Sequence, residues 1–330
     1  MVQAAAMPSR LYKFKKFDQQ TLELLVLDQL YFAAPTDFND PFDTRPSLEV
    51  DIDEGKLEII LRDLVQQRVS AEMSAAAKTI RYRGEKTKDH ILRLSKLKAD
   101  QIIENINYDA TDPDFGVPEP RRFLLGRCLE HELLKRYDKG IVSLSRSANC
   151  PLMWSHYADQ HKGICIGYSV PSTRHVSLRA VEYGGSRVVA ASDVAAMLDG
   201  NQAARERVDA AVLLRKARPW RYEREWRMIG DRGAQDTGLE LEEISFGIRC
   251  NTIVRYAVVR ALEGRDRAVK YYEMCETEGT FELSKRRLDI DQELALWPRR
   301  SIPLEEVFEE IDLSEIGSRP ALRKAGEQDR

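Results

Sequence analysis

Asn149-Cys-Pro-Leu-Met-Trp-Ser-His-Tyr-Ala-Asp-Gln-His-Lys-Gly-Ile-Cys-Ile-Gly-Tyr168 reads as a helix feeding a strand. Pro151 suits the first helical position, where its missing N–H costs nothing, and Asn149 or Cys150 lies just outside. Gly163 falls where a left-handed C-terminal cap is expected. Ile164 to Tyr168 then has the β-branched and aromatic content of a strand. Trp154, Ser155, His156, Tyr157 and His161 are thereby packed into about three helical turns. Trp154, Tyr157, Ala158 and His161 follow i, i+3, i+4, i+7 spacing and share one face. A Trp154–Tyr157 pair there either stacks a planar ring such as nicotinamide or adenine, or is simply core. His156 and His161 are five apart and turn to different faces, which argues against a two-histidine metal site. His156 alone suits an acid, a base or a substrate hydrogen-bonding group.

Outward from this hub the chain reads as strands around a helical block. Leu11 to Phe17 is an imperfectly alternating strand. Thr21 can cap a short helix bearing Leu22, Leu25 and Val26, and Leu30 to Ala33 is a second strand. Pro35-Thr-Asp-Phe-Asn-Asp-Pro-Phe-Asp43 is an ordered loop, because its prolines fix φ and its Asx side chains bond nearby backbone. Leu57, Ile60, Leu61, Leu64 and Val65 recur at helical spacing, as do Ile91, Leu92, Leu94 and Leu97. Residues 51–137 are therefore expected to be an insertion of three or four helices. Strands return at Ile141–Arg146 and Val176–Tyr183, a helix spans Ser192–Arg218, and Leu241–Ile248 is another strand. A helix at Thr252–Glu263 and strands at Val269–Met274 and Phe281–Arg286 complete the set. The expected fold class is α+β: a mixed, mainly antiparallel sheet core in one domain, 10–290, with 1–9 and 299–330 as flexible termini.

Composition narrows the partners. Hydrophobic residues make up 43% and charged residues 32% of the 330, as in a globular protein with a charged surface. A net charge of -3 gives no global footprint for nucleic acid. No run approaches the roughly 20 apolar residues of a membrane span. Five cysteines with no CxxC pair argue against a zinc ribbon or a disulfide framework and for a reducing cytoplasm. The opening residues lack the pattern of a signal peptide. A GxGxxG, a Walker loop, a GxSxG elbow and the kinase signatures are all missing.

The strongest chemical pattern is Tyr222 to Ile229 read as a strand. Period two puts Glu223, Glu225 and Arg227 on one face and Arg224, Trp226 and Met228 on the other. Two carboxylates held this way can polarise a sugar hydroxyl or stabilise an oxocarbenium-like centre. A solvated edge strand with compensating charges is the plainer alternative. Trp220 and Pro219 fix the approach to that strand. Asn39 and Asp40 either cap their loop or line a cleft, and Lys13 with Lys15 either meets phosphate or is solvated.

These stretches together resemble the bacterial family known as domain of unknown function 2971. The matching residues are Leu11-Tyr-Lys, Leu30-Tyr-Phe, Phe38-Asn-Asp-Pro-Phe, Leu152-Met-Trp-Ser-His-Tyr-Ala-Asp, His161-Lys-Gly-Ile-Cys-Ile and Trp220-Arg-Tyr-Glu-Arg-Glu-Trp-Arg. More distantly the order of elements is similar to ADP-ribosyltransferase-like folds, which use NAD. That resemblance implies Glu225 steering the nicotinamide ribose, with Glu223 two residues before it. It also implies Tyr157 or Trp154 against the nicotinamide ring and Lys13 at a phosphate. The chain departs from those folds in having no His or Arg on the first strand beyond Arg10 and no matching Ser-Thr-Ser stretch. Fold likeness alone does not establish function.

Three readings follow. The first is an NAD-consuming transferase or glycohydrolase acting as a toxin or defence effector, with Glu225, Glu223, His156 and Tyr157 catalytic. Lys13, Asn39, Asp40, Trp154, Arg227 and Trp220 would bind substrate, with NAD consumed rather than held as a tight cofactor. The second is a non-enzymatic ligand- or protein-binding module. The third is a metal-dependent nuclease built on the carboxylates.

Overall fold

The computed structural model describes residues 6–82, 84, 86–171, 176–295 and 297–299. It divides into a large unit, 1–288, and a short one, 289–330. Most of the expected flexible termini, 1–9 and 299–330, lie outside the described residues. In the short unit the described helix is Ile290–Ala295.

The large unit is α+β. It opens with β1 (Arg10–Lys15), α1 (Gln19–Val26) and β2 (Leu30–Phe32). Asp18, not Thr21, caps α1: its carboxylate accepts from Thr21 N at 2.8 Å, while the Thr21 hydroxyl donates back to Lys16 O at 3.0 Å. A single turn at Pro35–Asp37 and β3 (Ser47–Glu49) lead into the insertion, which is three helices: α2 (Glu54–Thr79), α3 (Thr87–Asp109) and α4 (Pro120–Arg136). The repeat in α2 works as its spacing requires, and Leu57, Ile60, Leu61, Leu64 and Val65 are all buried. Against them pack Leu125, Leu129 and Leu133 of α4 and Ala99, Ile103 and Ile106 of α3. Each such leucine or isoleucine stabilises by roughly 1.5–3 kcal/mol. Leu92 and Leu97 face solvent instead, because the α3 stripe runs through Ser95, Ala99, Ile103 and Ile106.

After the insertion come β4 (Gly140–Ser145), α5 (Pro151–Tyr157), β5 (Ile164–Ser169), β6 (Leu178–Ala180), β7 (Glu182–Tyr183) and β8 (Val188–Ala190). The expected helix over 192–218 is two, α6 (Ala191–Leu198) and α7 (Gln202–Leu213), followed by β9 (Arg215–Lys216) and a 3-10 helix, Arg218–Glu223. Gly200, with φ +90°, and the Asn201 cap make that break. The chain ends in β10 (Glu225–Gly230), β11 (Gly233–Gln235), β12 (Glu240–Phe246), α8 (Thr252–Ala261), β13 (Lys270–Glu276) and β14 (Leu283–Arg287).

The main sheet has eight strands in the order β14-β13-β12-β5-β1-β4-β10-β6, with every neighbour antiparallel except β12 and β13. Two-stranded pairs β2–β11, β3–β8 and β7–β9 surround it. No described helix is long and apolar enough to cross a membrane.

One defect in the main sheet positions the site. β1 pairs with β5 along its whole length but meets β4 at a single position, Tyr12 opposite Ser145. Beyond it the two strands part, and β4 instead bonds Ala33, just after β2, through Ile141. A sheet that opens between two strands leaves backbone groups needing partners and space needing to be filled.

Candidate functional site

That opening holds a cavity of about 340 Å³, within the size range of small-molecule sites. Tyr12, Lys13 and Phe14 form one wall and Ile141, Ser143, Leu144 and Ser145 the other. Ala33, Asp37, Phe38, Asn39 and Asp43 close it from the proline-rich loop. Met153, His156 and Tyr157 of α5 face it, with Lys216, Glu223 and Glu225 at its polar end.

The hub segment is built differently from its periodicity. α5 ends at Tyr157, and Asp159, Gln160 and His161 all have positive φ, so this run turns the chain rather than Gly163. Gly163 is needed for space: a Cβ there would lie 2.3 Å from the Lys15 carbonyl oxygen. His161 leaves the helix yet still stacks on Trp154, with ring centroids 6.4 Å apart. Trp154 is fully buried, donates from Nε1 to Ala148 O at 2.7 Å and meets Phe14 edge-on at 5.3 Å. It is core and does not line the cavity, so its expected stacking role is corrected. Asp40 is likewise corrected: it is buried as a turn cap, its carboxylate accepting from Phe42 N at 2.9 Å, outside the lining. Asn39 does reach the site and donates to Tyr157 Oη at 3.2 Å.

Glu223 and Glu225 converge, though not by strand alternation. β10 begins only at Glu225, and Glu223 ends the 3-10 helix. Between them Arg224 adopts the left-handed conformation, φ 46° and ψ 49°, a cost of about 1 kcal/mol or more for a residue with a Cβ. The backbone is pinned on both sides. Ser145 Oγ donates to Glu223 O at 2.7 Å, Glu225 N donates to Tyr183 Oη at 2.7 Å, and Val181 N donates to Glu225 O at 2.9 Å. β10 is not an edge strand either, since β4 and β6 flank it.

Lys216 ties the carboxylates together. Its Nζ lies 2.6 Å from Glu223, 3.2 Å from Glu225 and 3.4 Å from Asp43. Arg227, with no exposed surface, donates from Nε to Glu225 at 2.8 Å, from Nη2 to Asp43 at 2.6 Å, and from Nη1 to Leu213 O at 2.7 Å. It stands behind the cavity as a clamp and touches no cavity surface. Three carboxylates thus face two cations, so the cluster carries one excess negative charge in a low-dielectric place. Burial raises the Glu223 carboxyl above the usual range despite Lys216 and Tyr157. Burial acts the same way on Glu225, but Arg227 and Lys216 outweigh it and hold that carboxyl at about 2. When a proton is taken up, Glu223 is where it goes. Tyr157 Oη donates to Glu223 at 2.6 Å and fixes its orientation; burial, then that carboxylate, pushes the phenol well above its ordinary value.

Lys13 is the contrasting cation. Its Nζ crosses the opening to donate to Ser143 O at 2.9 Å, meeting a carbonyl left where β1 has parted from β4. Burial, then neighbouring Lys15, lowers its ammonium to about 8 against the pull of Glu225 and Glu223. At the site's edge, His156 lies 6.3 Å from Trp220 and 6.4 Å from Tyr222, ring centre to ring centre. Trp220 does not line the cavity but packs against Tyr222 at 6.0 Å, with Lys216 Nζ 5.2 Å from its ring.

Asp43 and Lys216 were not singled out by sequence reasoning. Lys216 carries a readable signal, a lysine three residues past the apolar end of a helix and two residues before an Arg-Pro-Trp run. Asp43 carries none, because its partner Arg227 is remote in sequence. Among the described residues no group of His, Cys, Asp and Glu is disposed to hold a metal ion. In the cavity the space between the three carboxylates is already filled by the Lys216 ammonium, within 3.4 Å of each.

No curated protein and no solved structure matches the chain. Residues 153–228, which run from α5 through Lys216 to the Arg227 clamp, match the family model described as Protein of unknown function (DUF2971).

Proposed function

We propose that the cavity is the active site of an enzyme that cleaves or transfers at the nicotinamide N-glycosidic bond of NAD. The observation that carries this reading is the Glu223–Glu225 pair, two carboxylates in one cavity whose titrations are driven in opposite directions. Such a divergence assigns separate roles to two like groups. Glu225, kept ionised, faces the positive charge that develops on the ribosyl carbon as the bond to nicotinamide breaks. Nicotinamide departs with the bonding electron pair as a neutral ring. Glu223, a stronger base than an ordinary carboxylate, takes the proton of the attacking water or acceptor hydroxyl. Tyr157, itself held by Asn39, holds Glu223 in place, and His156 and Trp220 offer ring faces at the site's edge for a planar group. A biological role as a toxin or defence effector would follow from consumption of NAD.

The metal-dependent nuclease is the weaker reading, because Lys216 already sits where the carboxylates would hold a cation. The binding-module reading shares the cavity but leaves the split titration without a use. The test is nicotinamide release from NAD by the purified chain, followed chromatographically, beside Glu225→Gln and Glu223→Gln. Release that falls in both variants supports the assignment. No release, with NAD still raising the melting temperature, transfers the cavity to the binding-module reading.

A further inference from the structure

Two lysines face the same cavity, and their surroundings differ. Lys216 is locked among three carboxylates, all within 3.4 Å. Among the described residues no carboxylate lies within ion-pairing distance of Lys13, whose amine makes one hydrogen bond, to the Ser143 carbonyl. It is half-buried between strands that have parted and lines the cavity with Tyr12 and Phe14. A lysine needed only as a counter-ion would sit on the carboxylates. This one is held away from them by a single neutral acceptor.

We propose that Lys13 is a nucleophilic amine that condenses with the open-chain aldehyde of a reducing pentose held in the cavity, forming an imine. The choice of pentose rests on the ribosyl reading above, since ADP-ribose released from NAD opens to an aldehyde at the carbon that carried nicotinamide. The amine chemistry does not depend on that reading. The Nζ lone pair forms the N–C bond, and the carbonyl π pair moves to oxygen, which takes a proton. A second proton on that oxygen lets it leave as water while the nitrogen lone pair closes the C=N bond. The two hydrogens of the neutral amine and the carbonyl oxygen thus depart as one water, with no oxidant or reductant needed. Glu223 lines the same cavity and is the group suited to carry these protons. The charged groups acting on Lys13 are Lys15 and Lys216, which favour its neutral form, and Glu223 and Glu225, which oppose it. Burial decides the balance and brings it to about 8. At pH 7.5 its neutral fraction is then on the order of a hundredfold that of an ordinary lysine.

The test is reductive trapping of the full chain with ribose 5-phosphate and cyanoborohydride at pH 7.5, mapped by peptide mass spectrometry. Lys13 should acquire the reduced adduct roughly tenfold faster than any exposed lysine in the same sample. Lys13→Arg, which keeps a donor for Ser143 O, should lose that adduct while surface labelling continues. Glu223→Gln should slow the adduct at Lys13 alone. Label spread over exposed lysines with Lys13 unmodified overturns the proposal. That distribution is read in the wild-type chain, so a poorly folding variant does not blunt the test. Labelling of Lys13 without nicotinamide release from NAD would remove the glycosidic reading and leave the amine standing. Release without labelling would do the reverse.

Discussion

The cavity cluster and the ion cluster of the insertion have the same charge count and opposite behaviour. In the insertion, Arg121 binds Glu54 at 2.9 Å and Glu58 at 2.5 Å, and Arg62 binds Glu58 at 3.0 Å and also Asp100. That too is three carboxylates on two guanidinium groups. These side chains are 25–52% exposed, so water carries the excess charge, and the Glu58 carboxyl lies below its usual range: burial works against that, and hydrogen bonds from Arg62 and Arg121 prevail. In the cavity, Glu223, Glu225, Asp43 and Arg227 are buried, and burial first, with the neighbouring Glu225 charge adding to it, pushes one carboxyl, Glu223, upward instead. The same inventory gives a helix brace with a lowered carboxyl where water reaches it and a raised one where it does not.

The comparison breaks most visibly if Arg227→Met costs no more than Arg62→Met. Removing Arg227 leaves Asp43 and Glu225 with Lys216 alone in a buried place, and breaking such a buried pair costs about 3–5 kcal/mol. Arg62→Met, at a half-exposed pair, should cost less than about 1 kcal/mol. Urea denaturation of the two variants, compared at equal m-value, decides it. Equal losses would mean that burial does not separate the two clusters.

Glu223→Gln tests the functional half of the contrast. If Glu223 is the base, nicotinamide release should fall roughly 10²-fold or more, with little change in melting temperature. In the wild type the rate should fall as pH drops through the raised Glu223 value, because the base is then protonated, and the variant should lose that limb. Glu58→Gln, its counterpart in the insertion, should leave the rate profile unmoved. A rate limb that persists in Glu223→Gln would assign the titration to another group.

Stability against pH sharpens the contrast further. The folded Glu225 value, about 2, lies below that of the unfolded chain. The sign is that of a depressed acid: its contribution is fully present above the unfolded value near about 4.3 and is lost as pH falls toward about 2. Glu223, with its value raised, works in the other sense: its contribution is present at low pH and is lost as pH rises through the folded value. Melting curves between pH 6 and 2 should therefore flatten in Glu225→Gln and steepen in Glu223→Gln, and like slopes in both would refute the split.

Much of this site could be read locally and part of it could not. Glu225 and Arg227 were legible because a strand's period of two is a local rule that β10 obeys. Glu223 reached the expected face by another route, a 3-10 turn and a left-handed Arg224, which alternation does not encode. The helical insertion was legible because α2 keeps a five-position apolar repeat, whereas α3 misled by carrying Leu92 and Leu97 on its solvent side. The parting of β1 from β4, which makes the cavity, is a matter of pairing between distant strands. Nothing in Tyr12-Lys-Phe14 or Ser143-Leu-Ser145 alone announces it.

The smallest expected effect is at Arg121, and its size is what makes it informative. Its guanidinium makes three side-chain contacts, to Glu54, Glu58 and Asn107, and so looks as richly bonded as Arg227. A count of bonds would rank the two alike. Exposure ranks them apart, since 32% of the Arg121 side chain meets solvent and none of Arg227 does. In water each Arg121 bond replaces one to solvent, and salt screens the charges over about 8–10 Å. Arg121→Ala should thus cost under about 1 kcal/mol. Raising the salt to 1 M should shrink that loss further, leaving the part due to packing of its aliphatic stem. The cost of Arg227→Met should hold under the same salt, because screening ions do not reach a buried pair. A salt-sensitive Arg227 loss would place the cavity cluster in contact with solvent, and the pressure that lifts Glu223 would have to be sought elsewhere.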